Sequence, residues 1–125
     1  MKHLLLTLLS LLPAVLFAVD KVAHVEADEA AKLIADGKVT VVDVRTAEEF
    51  KEGHIKGAKN IDVTENDFAQ KLGELDKSKP VLVHCQAGGR STRSLLSFEK
   101  LGFTQVYHLD GGFNGWTKAG KPLEK

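Results

Sequence analysis

Two β-branched runs carry apolar residues at consecutive positions: VTVVDV (Val39–Val44) and KPVLVHC (Lys79–Cys85). A strand with that pattern is buried on both faces, which happens in parallel sheets covered by helices on each side. Parallel strands need crossovers long enough for a helix, and helical patterns lie where crossovers are needed. Ala27–Lys38 reads as a short helix, with Asp28 as its cap, Ala30, Leu33 and Ile34 on one face, and Gly37 at its end. Thr46 followed by Glu49 is a capping-box pattern that starts another. Gly53–Ile61 reads as a turn leading into a short strand at Asn60–Ile61, and Asp67–Leu75 as helical. Ser91–Gly102 is amphipathic, with Leu95, Phe98 and Leu101 on its apolar side, and Gln105–Leu109 reads as a strand. A glycine turn and a short helix carrying Trp116 close the chain. The expected fold is α/β, a mostly parallel sheet with helices on both faces.

At 125 residues, 43% of them hydrophobic, one domain is expected. Lys and Arg number 17, and Asp and Glu also 17, so nothing in the charge calls for nucleic acid or an anionic membrane as partner. Residues 1–18 stand apart. Lys2 precedes the uncharged run Leu4–Phe17, which is shorter than the roughly 20 residues of a membrane span. Pro13 and Ala18 suit a signal peptide, although Leu16 sits where a small residue is usual. The expectation is a cleaved signal over 1–18 and a single domain over 19–125, exported to a bacterial periplasm, with no membrane contact after cleavage. The alternative is retention as an uncleaved anchor.

Export sharpens the question of the single cysteine, Cys85, which cannot form an internal disulfide. It stands at the carboxyl end of a predicted strand, where open α/β sheets gather ligands. The loop Cys85-Gln86-Ala87-Gly88-Gly89-Arg90 then runs into a helix start at Ser91. Unpaired N–H groups there, freed to turn inward by the glycines, form an anion-binding nest. With Arg90 adjacent, a thiol in the nest loses its proton more readily than a free cysteine. Cys85 is therefore a candidate nucleophile. His84 reads as the last strand residue, facing the core or the sheet edge, and Arg93 as a solvated side chain. Cysteine phosphatases place one residue more between Cys and Arg, so this smaller ring suits a persulfide or a small sulfur oxyanion better than a phosphate ester.

With the loop, two further segments make the chain resemble the rhodanese-like family. VVDVRTAEEFKEGHIKGAKNI (Val41–Ile61) is similar to its first signature, VLVHCQAGGRS to its active-site loop, and VYHLDGGFNGW (Val106–Trp116) to its closing segment. The resemblance implies a three-layer domain with a central parallel sheet of about five strands. It implies a sulfurtransferase that moves sulfane sulfur from a donor such as thiosulfate through a persulfide on Cys85 to a thiol or cyanide, or to a protein acceptor. The loop from Gln86 to Ser91 (Gln86, Ala87, Gly88, Gly89, Arg90, Ser91) would hold the substrate, its N–H groups facing the persulfide and Arg90 the anionic donor. No metal or organic cofactor is expected, and the five histidines show no ligand spacing along the chain. Gln86 stands where several family members carry Arg or Lys, which weakens the case for a small anion as donor. A persulfide carrier or redox module using the same loop is the alternative. Asp43, Arg45, Gly53, His54 and Gly57 read as structural, and Phe113 and Trp116 as core residues packing the last helix, either of which could also wall one side of the pocket.

Overall fold

The computed structural model describes residues 21–125; the expected signal peptide lies outside the described residues. The elements run β1 (Val22–Val25), α1 (Ala27–Ala35), β2 (Thr40–Asp43), α2 (Ala47–Glu52), β3 (His54–Ile55), β4 (Lys59–Asn60), α3 (Phe68–Leu72), β5 (Val81–His84), α4 (Gly89–Leu101), β6 (Val106–Leu109), α5 (Gly112–Lys118) and β7 (Leu123–Glu124). Five strands form one parallel sheet in the order β1-β6-β5-β2-β4. β3 and β7 pair antiparallel as a separate ribbon.

The consecutive apolar residues of the strands divide between two cores. Val42, Val81, Val83 and Val106 face one side, with Phe68 and Leu72 of α3 and Phe98 of α4. Val41, Leu82 and Leu109 face the other, with Ala30 of α1 and Trp116 of α5. Alternate residues of a strand point to opposite faces, so a strand covered twice must be apolar at every position. The expected layering is therefore present.

Local signals succeed where the cause is local. Thr46 caps α2 in a full capping box: Glu49 N–H donates to Thr46 Oγ1 at 3.2 Å, and Thr46 N–H to Glu49 Oε1 at 3.1 Å. Asp28 does not cap α1. Glu26 occupies that place without a side-chain bond, and Asp28 lies inside the first turn, where it pairs with Lys121 at 2.8 Å. The helix after the cysteine begins at Gly89, two residues before the expected Ser91. Strands β1, β3 and β7 were not expected. β3 and β7 have two residues each, and β1 is held at the sheet edge by its pairing with β6, which no local pattern encodes.

Among the described residues no helix is long and apolar enough to cross a membrane.

Candidate active site

Cys85 follows the last residue of β5 and is 1% exposed. Its side chain lies on the face covered by α4. Gly88 N–H donates to Sγ at 3.1 Å, and the Ser91 hydroxyl stands 3.3 Å from it. Burial works against the thiolate. The Ser91 hydroxyl and the backbone N–H groups of Ser91, Gly88 and Ala87 outweigh it and hold the thiol below its ordinary value. These groups surround the sulfur with donors, the arrangement a charged sulfur needs.

Two glycines give the loop its shape. Gly88, the residue before α4, has φ of +119°, and a Cβ there would lie 2.8 Å from the Asp110 carbonyl oxygen. Gly112 has φ of +61°, and a Cβ there would lie 2.6 Å from the Gln86 carbonyl oxygen and 2.8 Å from that of Cys85. This close approach lets Phe113 N–H donate to the Cys85 carbonyl at 2.8 Å and Asn114 N–H to the Gln86 carbonyl at 3.0 Å. The closing glycine segment thus clamps the start of the loop from behind.

The side chains named from sequence do not all face the sulfur. Arg90 turns to Glu49, with Nη1 to Oε1 at 2.7 Å and Nη2 to Oε2 at 3.0 Å. The bond from Arg90 holds the Glu49 carboxyl at about 2. Gln86 is bound by side chains: its Oε1 accepts from Arg45 Nη1 at 2.9 Å, and its Nε2 donates to Asn114 Oδ1. Ala87 and Gly89 are exposed at the rim. Beside the loop lies a pocket of about 270 Å³ lined by Arg45, Glu49, Glu52, Gly53, Gln86 and Phe113.

Asp43 and Arg45 form a buried pair, Nη2 to Oδ2 at 2.7 Å and Nε to Oδ1 at 3.0 Å. Arg45 also donates to the Gly53 carbonyl at 2.8 Å and lies over the Phe113 ring at 4.2 Å. The pair ties the α2 end to the loop, a structural part. His84 donates from Nδ1 to the Cys85 carbonyl at 3.0 Å, and burial pushes its pKa down. It faces the core away from Sγ, and its Nε2 has no hydrogen-bond partner.

Sequence reasoning missed three residues. His108 Nε2 lies 2.8 Å from Ser91 Oγ. Nδ1 of His108 and Nδ1 of His24 each lie 2.7 Å from Asp110 Oδ1. The β1–β6 register sets His24 opposite His108, which spacing along the chain could not reveal. His108 and Asp110 were legible in principle, as polar residues at the carboxyl end of a strand neighbouring that of Cys85.

A parallel sheet carrying a cysteine at a strand end, wrapped by a short loop of N–H donors at a helix start, defines an α/β domain that presents one thiol to a ring of donors. The rhodanese-like domain model matches residues 26–119, and the chain belongs to that family. It is 40% identical over 79 residues to the uncharacterized protein YqhL of Bacillus subtilis, covering 63% of this chain and 61% of that one. It thus spans about six-tenths of that relative. It is 32% identical over 96 residues to the thiosulfate sulfurtransferase GlpE of Shewanella oneidensis, covering 77% of this chain and 93% of that one. Among solved structures, a rhodanese-related protein from Thermoplasma volcanium matches with a TM-score of 0.73 at 27% identity, over 81% of this chain and 96% of that one.

Proposed function

We propose that the protein is a rhodanese-type sulfurtransferase with Cys85 as nucleophile. The Cys85 thiolate attacks the outer sulfur of a thiosulfate-like donor. The sulfur–sulfur bond of the donor breaks, sulfite leaves with the bonding pair, and Cys85 carries a persulfide. A thiophilic acceptor, cyanide in vitro or a thiol, then takes the outer sulfur and releases the thiolate. The single observation that carries this reading is the Cys85 sulfur cradled by the Gly88 N–H and the Ser91 hydroxyl. Loop donors from Gln86 to Ser91 would stabilise the persulfide charge. Relatives named thiosulfate sulfurtransferase support it.

A second reading has a specific observation in its favour. The Arg90 guanidinium is already occupied by Glu49, and two carboxylates line the adjacent pocket. A small dianion gains less from such a site than a neutral or protein-borne persulfide does. On this reading the domain carries sulfur between protein partners. Export through the segment 1–18 belongs to the proposal as well, supported by the uncharged run after Lys2.

Intact mass of the purified protein tests these points together. Gain of one sulfur from thiosulfate, removed by cyanide as thiocyanate, supports the enzyme. No gain, with Cys85 still alkylatable, favours the carrier. A mature protein beginning at Val19 supports export.

A further inference from the structure

From the cysteine sulfur an unbroken line of polar groups runs to the carboxylate of Asp110. Cys85 Sγ lies 3.3 Å from Ser91 Oγ, Ser91 Oγ 2.8 Å from His108 Nε2, and His108 Nδ1 2.7 Å from Asp110 Oδ1. His108 and Ser91 are buried, at 2% and 0% exposure. The line exists because β6 sets His108 beside Val83, on the face of the sheet that α4 covers and Cys85 shares.

The direction of each bond follows from the chemistry of its ends. Asp110 is held below its ordinary value: partial burial opposes this, but hydrogen bonds from His108 and His24 outweigh it. It is therefore a carboxylate and only accepts. Both imidazoles must present Nδ1–H to it, which leaves His108 Nε2 as a lone pair when the ring is neutral. The Ser91 hydroxyl has one hydrogen and three acceptors in range: Nε2 at 2.8 Å, the Gly88 carbonyl at 3.1 Å and Sγ at 3.3 Å. Nε2 is the nearest. With the hydrogen there, the serine oxygen turns its lone pairs to the sulfur and can accept from the thiol. Thr92 Oγ1 lies 3.4 Å from the same nitrogen but donates to the Gly88 carbonyl at 2.7 Å.

We propose that His108, oriented by Asp110, takes the proton of the Cys85 thiol through the Ser91 hydroxyl, leaving a thiolate and a buried imidazolium. Two protons move in one step. The thiol hydrogen passes to Ser91 Oγ as the serine hydrogen passes to His108 Nε2, so serine ends unchanged. The hydrogen bonds then run the other way: Nε2–H donates to Ser91 Oγ and the serine hydroxyl donates to the sulfur. The imidazolium has a carboxylate on its far side and the thiolate across the serine, the compensation a buried cation needs. Neither His108 nor Asp110 touches the sulfur, so both are positioning residues. The inference rests on the reading of Cys85 as nucleophile. In that cycle, the same serine hydrogen stabilises the cysteine sulfur when it leaves the persulfide.

The charged and titratable groups around this line are His24 on β1, which shares Asp110, and Arg90 in the first turn of α4, which is bound to Glu49; His84 on β5 lies on the opposite face of the sheet. The test is the pH profile of Cys85 alkylation by iodoacetamide in the reduced protein, read by intact mass. Ser91→Ala and His108→Gln each move the midpoint up by about one pH unit, which slows alkylation about tenfold in acid. The double variant moves it no further, because both substitutions cut one line. Asp110→Asn moves it the same way, since an asparagine amide donates to Nδ1 and turns the imidazole to the wrong tautomer. Unchanged profiles, or single shifts that add in the double variant, overturn the proposal. Should His108→Gln fail to fold, Ser91→Ala and Asp110→Asn, alone and combined, make the same comparison. Alkylation needs no sulfur donor. Shifted profiles in a protein that takes no sulfur from thiosulfate would uphold the proton path and sink the thiosulfate reading alone.

Discussion

Arg90 is clasped by Glu49 through two parallel hydrogen bonds of 2.7 and 3.0 Å, although 41 residues separate them. The cation of the loop therefore meets its counter-ion inside the protein and not first on a substrate. Glu49 has two tasks, since the same oxygen that accepts from Arg90 also closes the capping box with Thr46. The start of α2 and the rim of the loop are thereby joined.

The pair should contribute to stability in a defined pH range. Glu49 titrates at about 2 in the folded protein against an ordinary 4.5, so its contribution is complete above 4.5 and lost as pH falls towards 2. Both side chains keep some exposure, 26% and 31%, so screening limits the effect. Glu49→Gln should cost about 1 kcal/mol near neutrality. Urea unfolding across the acid range would show the gap to wild type closing; a gap independent of pH would contradict the assignment.

The same substitution bears on the donor. Removing the Glu49 charge frees the Arg90 fork and makes the adjacent pocket less negative. If thiosulfate is a donor, its KM should fall severalfold in Glu49→Gln. Steady-state kinetics would decide, and an unchanged or raised KM would argue that the donor is not a small anion.

Gly112 should tolerate nothing larger. Alanine there meets two backbone carbonyls at 2.6 and 2.8 Å and needs a left-handed backbone. Backbone cannot swing aside as a side chain can, so Gly112→Ala should cost about 2–4 kcal/mol and displace the Cys85 loop. Denaturant midpoints would measure the loss. Amide exchange at Phe113 and Asn114, whose N–H groups hold the Cys85 and Gln86 carbonyls, should rise with it.

The Asp43–Arg45 pair is almost wholly buried, at 0% and 2% exposure. Arg45→Ala strands a carboxylate in the core and should cost about 3–5 kcal/mol. Pairing it with Asp43→Asn should recover part of that loss, because no uncompensated charge then remains. Unfolding free energies of the single and double variants give the coupling directly, and purely additive losses would refute it.

Cys85→Ser should abolish persulfide formation while leaving the fold in place, with a stability change within about 1 kcal/mol, since a hydroxyl can still accept from Gly88 N–H. Mass spectrometry after thiosulfate treatment reads the first half, thermal unfolding the second. Sulfur loading that persists in this variant would remove Cys85 from the mechanism.

Features whose causes are local were legible in the residues themselves. Continuous apolar strands forced a sheet covered on both faces, and Thr46 with Glu49 started α2. A lone cysteine before two glycines marked the strand end where the loop into α4 begins. Hydrophobic period, cap chemistry and glycine freedom act over a few neighbouring residues, so they are written where they act. Tertiary structure decided which distant groups meet. Arg90 turned to Glu49 instead of to the sulfur because α2 packs beside the loop, and Gly112 reached the back of Cys85 because α5 follows β6. His108 came to Ser91 through the β5–β6 register and the packing of α4 on that face, and His24 came to Asp110 through the β1–β6 register. Register is set by the whole set of packed faces and not by any one segment, which is why these partners stayed hidden until the strands were laid side by side.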